Sequence, residues 1–291
     1  MQLLEGKKVS EAILDEIKIE VDKILAQGKR APHLAVVLVG NNPASETYVG
    51  SKIKACERVG FKSTLVKLDD TIDEASLLAE IKKLNDDKTL DGFIVQSPLP
   101  KHISDAMVIN AISPDKDVDG FHPENVGRMA LNMPAYLPAT PYGVIQLLDR
   151  YNIPTAGKHC VIMGRSHIVG LPMSLLMVRN TKPGNCTVTI CHSKTVDVKK
   201  HTLQADILIV ATGQVESVTA DMVKEGVVVI DVGITRVPDA TKKSGYRIAG
   251  DVKFDEVAAK CSFITPVPGG VGPMTIASLL MNTLNGYKRR F

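Results

Sequence analysis

The feature that most constrains the fold is the alternation of short apolar segments with amphipathic segments of helical period. In the first half, helices are predicted over Ser45–Val59, with Ser45 near its start, and over Glu74–Leu84. Strands are predicted around them, over His33–Gly40, Ser63–Leu68 and Gly92–Gln96. Helices that alternate with strands form right-handed βαβ units, whose strands are parallel. The pattern therefore predicts an α/β fold.

A segment of different composition divides the chain of 291 residues, which is long enough for two domains. Between Ser97 and Thr140 it is rich in Pro, Asp and Gly, which end helices and strands, and loops of this kind often carry function. We place the domain boundary near Pro141, with a helix over Gly143–Tyr151.

The second half resumes the alternation after this helix. Strands are predicted over Lys158–Met163, Thr187–Cys191, Asp206–Ala211 and Val227–Val232, with a helix over Leu171–Val178. This βαβαβ order is typical of a doubly wound nucleotide-binding domain. We expect two parallel-sheet αβα domains, residues 1–141 and 142–272, followed by a terminal helix.

Composition excludes several classes of function. The formal net charge is +3 with scattered Lys and Arg, aromatic residues make up 4%, and Trp is absent, so we expect no nucleic-acid partner. The five cysteines form no CxxC pair, and no two histidines have metal-ligand spacing, so we expect neither a disulfide framework nor a metal. The N-terminal segment lacks the apolar core of a signal peptide and no apolar run would span a membrane, which favours the cytoplasm.

A candidate phosphate loop follows the strand Lys158–Met163. Residues 164–170 read Gly-Arg-Ser-His-Ile-Val-Gly and lead into a predicted helix, the arrangement in which N–H groups and the helix dipole bind a pyrophosphate. Ser166 stands where the GxGxxG fingerprint has its second Gly, and the last Gly comes one residue late. An ordinary βα turn would have the same pattern, so the motif alone leaves both interpretations open.

The end of the next strand bears on the choice of cofactor. NAD sites usually place an acidic residue there to bind the ribose hydroxyls, whereas this chain has Cys-His-Ser-Lys-Thr at 191–195. Arg165 and Ser193 would suit a 2′-phosphate, which favours NADP over NAD. Ser193 would equally suit a helix cap, and Lys194 a solvated surface position.

Lys52 is the candidate catalytic residue of the first half. Tyr48 and Lys52 are four residues apart in a predicted helix and therefore share one face. Composition alone favours a solvated surface lysine.

Seven segments together closely resemble the bifunctional methylenetetrahydrofolate dehydrogenase/methenyltetrahydrofolate cyclohydrolase family. They are VGNNPASETYVGSKIKACERVG (39–60), VQSPLP (95–100), PDKDVDGFHPENVGR (114–128), PATPYGV (138–144), GRSHIVGLP (164–172), DVGI (231–234) and ITPVPGGVGPMT (264–275). The resemblance implies a folate-side domain, joined by the terminal helix 273–291, and a Rossmann-like NADP domain, with a cleft between them. It also implies a cytoplasmic homodimer that acts on tetrahydrofolate substrates in one-carbon metabolism and purine biosynthesis.

The resemblance assigns roles on the folate side. Lys52 is then the key catalytic group, Tyr48 orients it, Gln96 holds its amine, and Asp119 accepts hydrogen bonds from the pterin. Further substrate contacts are implied for Val95, Ser97, Pro268, Gly269, Gly270, Val271 and Gly272. Many family members have Leu at the position of Ser97, so this contact differs in detail.

Cofactor contacts follow from the same resemblance. They are Gly164, Arg165, Ser166, Ser193 and Ile234, with Thr140 and Thr275 as weaker candidates.

The implied chemistry separates two duties. NADP-dependent oxidation of 5,10-methylenetetrahydrofolate removes a hydride and no proton, so positioning is most of the task. Hydrolysis of the 5,10-methenyl product to 10-formyltetrahydrofolate needs proton transfers, which Lys52 would perform if its pKa were lowered.

Two alternatives remain open. One is a monofunctional NAD-dependent dehydrogenase, and the other is a non-catalytic nucleotide sensor or folate-binding module. The presence of Tyr48, Lys52 and Gln96 disfavours both the loss of the cyclohydrolase and the loss of catalysis.

Overall fold

A computed structural model describes residues 1–242 and 245–289. The chain divides into two compact units. Unit 1 consists of Met1–Ser10 and Thr140–Thr275, and unit 2 consists of Glu11–Ala139 and Ile276–Phe291.

The helices and strands alternate along most of the chain. Up to residue 150 they are β1 (Gln2–Leu3), α1 (Gly6–Ala26), β2 (His33–Val39), α2 (Pro43–Val59), β3 (Lys62–Leu68), α3 (Glu74–Asp86), β4 (Gly92–Val95), α4 (Asp105–Ala111), α5 (Pro123–Ala130) and α6 (Ala139–Arg150). Beyond residue 150 they are β5 (His159–Met163), α7 (Gly170–Val178), β6 (Thr187–Cys191), α8 (Val198–Thr202), β7 (Ile207–Val210), β8 (Val227–Asp231), β9 (Thr235–Pro238), β10 (Tyr246–Ala249), α9 (Phe254–Val257), β11 (Cys261–Ile264) and α10 (Val271–Lys288).

Unit 2 contains a parallel sheet in the order β3-β2-β4. All seven residues of β2 are buried, as expected of a central strand covered on both faces. Successive side chains point to opposite faces of the sheet, and on one face Ala35, Val37 and Val39 pack with Leu77 and Ile81 of α3. This core fixes the carboxyl ends of the strands, where Gln96 follows β4.

Helix α2 begins two residues before the predicted start at Ser45. Asn42 is the N-cap, and its side chain accepts hydrogen bonds from the N–H groups of Ala44 (2.9 Å) and Ser45 (3.1 Å). Pro43 occupies the first turn, where its missing N–H costs nothing. The helix ends at Gly60, whose φ of 80° is the left-handed conformation that glycine adopts readily.

Unit 1 contains a six-stranded parallel sheet in the order β1-β11-β8-β7-β5-β6. One face of this sheet packs in a core that includes Val161, Leu208, Val210 and Val229. An antiparallel hairpin of β9 and β10 lies outside the sheet. The predicted α/β class with parallel sheets is confirmed, and the predicted strands match within one or two residues.

The N-terminus differs from the domain bounds expected from the sequence. Strand β1 pairs with β11 in parallel, with Gln2 opposite Phe263, so the first residues belong to the sheet of unit 1. A strand of two residues shows no periodicity that a sequence pattern could reveal. Helix α1 is also absent from the predicted elements, although its buried residues recur at helical spacing, as Val9, Ile13, Ile17, Val21 and Ile24.

Two further observations concern the chain as a whole. All five cysteines are buried free thiols. In the part of the chain that the structure describes, no helix is long and apolar enough to cross a membrane.

Candidate functional site

In unit 2, helix α2 and the end of β4 bring Lys52 and Gln96 together. The Lys52 Nζ donates a hydrogen bond of 2.9 Å to the Gln96 Oε1, and the Gln96 Nε2 donates to the backbone oxygen of Ser97 at 2.7 Å. This second bond orients the amide so that its oxygen faces the amine. Lys52 is 7% exposed, so the solvated surface lysine that composition favoured is wrong.

Burial changes the acid–base properties of this amine. Desolvation lowers the pKa of Lys52 below its ordinary value, and the negative charge of Asp119 partly opposes that decrease. Burial likewise raises the pKa of Asp119, and the charge of Lys52 opposes that increase. A lysine whose neutral form is more accessible is suited to accept a proton from water.

Tyr48 lies one turn before Lys52 on α2. Its side chain retains 37% of its surface exposed, whereas Lys52 is nearly covered. The ring is therefore accessible to a ligand that approaches this face of the helix.

The segment that carries Asp119 is held by a second buried carboxylate. Asp117 accepts hydrogen bonds from the backbone N–H of His122 (2.7 Å) and from the Asn125 Nδ2 (2.9 Å), and burial raises its pKa to about 7. Gly120 has a φ of 75°, and a Cβ there would lie 2.6 Å from the carbonyl carbon of Leu137. Asp117 therefore supports the loop, and Asp119 is the carboxylate beside Lys52.

Asn282 of α10 is a residue that sequence reasoning missed. It is 2% exposed, and its Nδ2 donates to the carbonyl oxygens of Val118 (2.8 Å) and Leu137 (2.9 Å). These bonds fix the peptide immediately before Asp119. The sequence does offer one signal, a single amide side chain in an apolar helical segment. A buried amide needs hydrogen-bond partners, so its presence there predicts a specific contact.

In unit 1, a pocket of about 330 Å³ opens at the carboxyl ends of β5, β6 and β7. Its lining includes Gly164, Arg165, Ser166, Ser193, Ala211 and Thr212. The structure thus brings four of the predicted cofactor residues to one pocket. Its place at the strand ends is where ligands bind in open α/β sheets.

The two glycines of the phosphate loop are required by close packing. Gly164 has a φ of 120°, and a Cβ there would lie 2.2 Å from the Ala211 oxygen. A Cβ on Gly170 would lie 2.1 Å from the Gly164 oxygen. No side chain fits at either position without moving backbone, so close packing within the turn requires both glycines.

Ser166 explains the departure from the GxGxxG pattern. Its Oγ accepts hydrogen bonds from the N–H groups of Val169 (3.1 Å) and Gly170 (3.4 Å), and its backbone oxygen accepts from Leu171 (3.0 Å). The N–H groups of the cap residue Val169 and of the first two residues of α7 therefore already have an acceptor in Ser166. The neighbouring Arg165 side chain lines the pocket.

The end of β6 carries hydroxyl and cationic groups. The N–H of His192 donates to the Thr195 Oγ1 at 2.9 Å, and the N–H of Lys194 donates to the His192 Nδ1 at 3.1 Å. Ser193 is exposed and lines the pocket. Asp197, and not Ser193, is the N-cap of α8, so the alternative of Ser193 as a helix cap is wrong.

Two further contacts in unit 1 involve the remaining candidates Thr140, Thr275 and Ile234. The Oγ1 atoms of Thr140 and Thr275 are 3.1 Å apart. Ile234 is 51% exposed, and a Cβ on Gly272 would lie 3.9 Å from its Cδ1. Ile234 therefore adjoins the loop 268–272.

Packing within unit 1 accounts for part of the glycine content of that loop. A Cβ on Gly270 would lie 2.5 Å from the Pro266 oxygen, and the N–H of Lys7 donates to the Gly269 oxygen at 2.9 Å. Gly269 itself has a φ of 107°. These glycines are needed for the fold, whether or not a ligand approaches them.

A Rossmann-like sheet with a glycine loop, in a chain that also holds a buried lysine bonded to a glutamine, defines a dinucleotide-dependent enzyme with an added acid–base group. Two sequence profiles match the chain. The tetrahydrofolate dehydrogenase/cyclohydrolase catalytic domain matches residues 4–119, and the NAD(P)-binding domain of the same name matches residues 138–291. The chain belongs to the tetrahydrofolate dehydrogenase/cyclohydrolase family, so the resemblance found in the sequence is confirmed.

Individual relatives agree over the full length. The bifunctional protein FolD of Cytophaga hutchinsonii is 68% identical over 284 residues, which cover 98% of each chain. The bifunctional FolD dehydrogenase/cyclohydrolase of Campylobacter jejuni has a similar crystal structure (TM-score 0.93, 49% identity, 100% of both chains). The Trypanosoma brucei enzyme, solved with NADP and an inhibitor, is also similar (TM-score 0.92, 37% identity, 98% of this chain and 96% of that chain).

Proposed function

We propose that this chain catalyses two consecutive reactions of one-carbon metabolism. The first is NADP-dependent oxidation of 5,10-methylenetetrahydrofolate to the 5,10-methenyl cation, and the second is hydrolysis of that cation to 10-formyltetrahydrofolate. The observation that carries the proposal is the hydrogen bond from the buried Lys52 amine to Gln96, beside Asp119. Such a pair has no use in hydride transfer alone, but it suits the hydrolytic step.

Hydride transfer places few chemical demands on the protein. Bound NADP⁺ supplies the hydride acceptor, and the substrate carbon becomes a cation stabilised by its two nitrogens, with no proton lost. The protein must therefore hold the pterin in one orientation. We assign this task to Asp119, which would accept hydrogen bonds from pterin N–H groups, and to Tyr48, Val95, Ser97 and the loop 268–272.

Hydrolysis needs proton transfers that Lys52 can perform. Water adds to the methenyl carbon, and the neutral Lys52 amine takes a proton from that water. The same proton is then available to the nitrogen that leaves when the ring opens, and the hydroxyl proton of the adduct is released to solvent as the formyl group forms. Gln96 holds the amine at the reacting carbon throughout, because its oxygen accepts from the Lys52 Nζ.

The pocket of unit 1 fits NADP better than NAD. No acidic residue occupies positions 191–195, where NAD sites usually carry one. Arg165 and Ser193 line the pocket and would bind a 2′-phosphate, with Gly164 and Ser166 at the pyrophosphate. We further assign Ile234, Thr140 and Thr275 to the nicotinamide end of the cofactor.

A spectroscopic assay tests both activities and the cofactor. The protein is mixed with 5,10-methylenetetrahydrofolate and either NADP or NAD, and the methenyl absorbance is followed as it rises and then decays. We expect a rise with NADP, a slower rise with NAD, and decay in both. No nucleotide-dependent rise would refute the dehydrogenase, and a stable methenyl signal would leave only a monofunctional dehydrogenase.

We also propose that the protein acts as a cytoplasmic homodimer that supplies formyl groups for purine biosynthesis. Within the described sheet of unit 1, β6 pairs with β5 and ends one side, which offers an edge for a second copy. Light scattering after size-exclusion chromatography should give twice the mass of 31.4 kDa. A monomer at micromolar concentration would contradict the dimer.

A further inference from the structure

Two buried carboxylates in unit 1 have no role in the proposed chemistry. Asp231 ends β8 and is 3% exposed, and Asp251 follows β10 and is 0% exposed. No ion pair found within residues 1–242 and 245–289 includes either of them. Burying an ionised carboxylate without a cation is costly unless several donors compensate it. The donors therefore indicate what these residues do.

The donors to Asp251 come from the loop after β7. Its Oδ2 accepts from the N–H of Thr212 (2.7 Å), from the Thr212 Oγ1 (2.9 Å) and from the N–H of Gly213 (2.8 Å). Its Oδ1 is buried and has no hydrogen-bond partner among the described residues. One oxygen thus carries three bonds to a single short segment.

That segment forms a wall of the cofactor pocket. Ala211, Thr212 and Gln214 all line the pocket. The Ala211 oxygen is also the atom that a Cβ on Gly164 would meet at 2.2 Å. The position of this wall therefore determines the position of the glycine turn opposite it.

Asp231 in turn holds Asp251. The Asp231 Oδ1 accepts from the N–H groups of Gly233 (2.9 Å) and Asp251 (3.0 Å), and its Oδ2 accepts from Val252 (2.9 Å). A Cβ on Gly250 would lie 1.9 Å from the Asp231 Oδ2, so this backbone approaches the carboxylate as closely as glycine allows. The two carboxylates connect the loops after β7, β8 and β10.

We propose that Asp251 is a positioning residue for NADP, which holds the loop 211–214 in the conformation that receives the cofactor, with Asp231 fixing Asp251 in place. The inference rests on the proposed NADP-dependent function and deepens its account of the pocket. A ligand site must be held within a fraction of an ångström by groups behind it. Charge-assisted bonds to backbone N–H groups do this more rigidly than apolar contacts, which lack direction.

The test compares D251N with the wild type. The substitution keeps the shape of the side chain but weakens the three bonds to the loop. We expect the Kd for NADP, measured by titration calorimetry, to rise about tenfold, the equivalent of about 1.4 kcal/mol. Cyclohydrolase activity on methenyltetrahydrofolate without nucleotide should stay within about twofold of wild type, because Lys52 and Gln96, the residues proposed to transfer the proton and hold the amine, lie in unit 2.

D206N is the matched control. Asp206 also bonds to backbone, accepting from the N–H of His159 at 2.8 Å, and it forms an ion pair with Lys224 at 2.6 Å. It lies at the amino end of β7 and is not among the residues that line the pocket. D206N should lower the melting temperature and leave the Kd for NADP unchanged. Equal changes in Kd for D206N and D251N, or an unchanged Kd in D251N, would overturn the proposal.

T212V provides a second route if D251N does not fold. It removes the hydroxyl bond to Asp251 and retains both N–H bonds, so the Kd should rise about threefold. Where D251N folds, the same change in that background should raise the Kd by less than it does in the wild type, since both substitutions act on one contact. An unchanged Kd in T212V, or full additivity with D251N, would contradict the proposal. Failure of the wild type to bind NADP would instead refute the proposed function.

Discussion

The strands β3-β2-β4 of unit 2 and β6-β5-β7 of unit 1 begin with the same contacts. In unit 2 the N–H of His33 donates to Asp91 at 2.8 Å, and its Nε2 lies 2.8 Å from the Thr64 Oγ1. In unit 1 the corresponding residues, with distances of 2.8 and 2.9 Å, are His159, Asp206 and Thr189. The amino ends of the two three-stranded sheets are therefore built alike, although the sequence shows no convincing internal repeat.

The carboxyl ends differ at one matched position. Four residues after each histidine, the carbonyl of Val37 accepts from the N–H of Gln96 (2.9 Å), and the carbonyl of Met163 accepts from the N–H of Ala211 (2.8 Å). Gln96 reaches Lys52, whereas Ala211 leaves room for the glycine turn and the pocket. The same arrangement of strands thus holds the Lys52 amine in unit 2 and borders a pocket in unit 1.

The loops after the central strands differ as well. Both strands lead to a glycine of positive φ, Gly40 (79°) and Gly164 (120°). Helix α2 begins three residues after its glycine with Asn42 as cap, and α7 begins six residues after its glycine with Ser166 bonded to its first turn. The longer loop in unit 1 provides the additional backbone that surrounds the pocket.

Substituting Gln96 should produce the largest change in this comparison. Q96A makes unit 2 resemble unit 1 at the matched position and leaves the Lys52 amine without its acceptor. We expect the cyclohydrolase kcat to fall about a hundredfold, in the range typical of losing a positioned acid–base group. The Kd for NADP should not change, and a change in Kd with normal hydrolysis would contradict the assignment.

Substituting Gly164 should affect the other unit. G164A places a Cβ 2.2 Å from the Ala211 oxygen at a φ of 120°. We expect a loss of about 2–3 kcal/mol in the free energy of unfolding and at least about tenfold weaker NADP binding. G157A is the control. Gly157 has a φ of 72°, but apart from its chain neighbours no atom of the described residues lies within 4 Å of its Cβ position, so NADP binding should be normal.

The pH dependence of hydrolysis tests the charge beside Lys52. The neutral amine is the active form, so kcat should rise as pH increases through the pKa of Lys52, which burial lowers. Asp119 raises that pKa, so D119N should move the rising limb of the profile to lower pH. A shift of about one unit is expected for loss of one nearby charge. A shift to higher pH would show that Asp119 does not act on Lys52 in this way.

The smallest effect should come from substitutions at the amino ends of the two three-stranded sheets, where the histidine contacts are alike. T64V and T189V each remove one hydrogen bond to a histidine ring, so each should cost about 0.5–1.5 kcal/mol in denaturant unfolding. Neither should change activity. Losses in the free energy of unfolding that differ by more than about 2 kcal/mol between T64V and T189V would show that the amino ends of the two sheets are not equivalent.

Sequence patterns predict the features that depend on neighbouring residues, and they miss the features that depend on contacts between residues far apart in the chain. Strands β2, β5 and β7 are continuous apolar runs buried on both faces, so periodicity located them within one or two residues. Helical spacing placed Tyr48 and Lys52 on one face, but the contact of Lys52 with Gln96 joins residues that are 44 positions apart. Only the resemblance to a family indicated that Lys52 contacts Gln96. Asn282 and Asp251 were missed because their partners lie 164 and 39 residues away.

The claim that Lys52 serves the hydrolytic step is tested most directly by K52M, measured against K54M. Lys54 lies on the same helix but is exposed. With methenyltetrahydrofolate as substrate, K52M should lose at least about a thousandfold in kcat, K54M should match the wild type, and both should bind NADP normally. Hydrolysis by K52M at the wild-type rate would contradict the account.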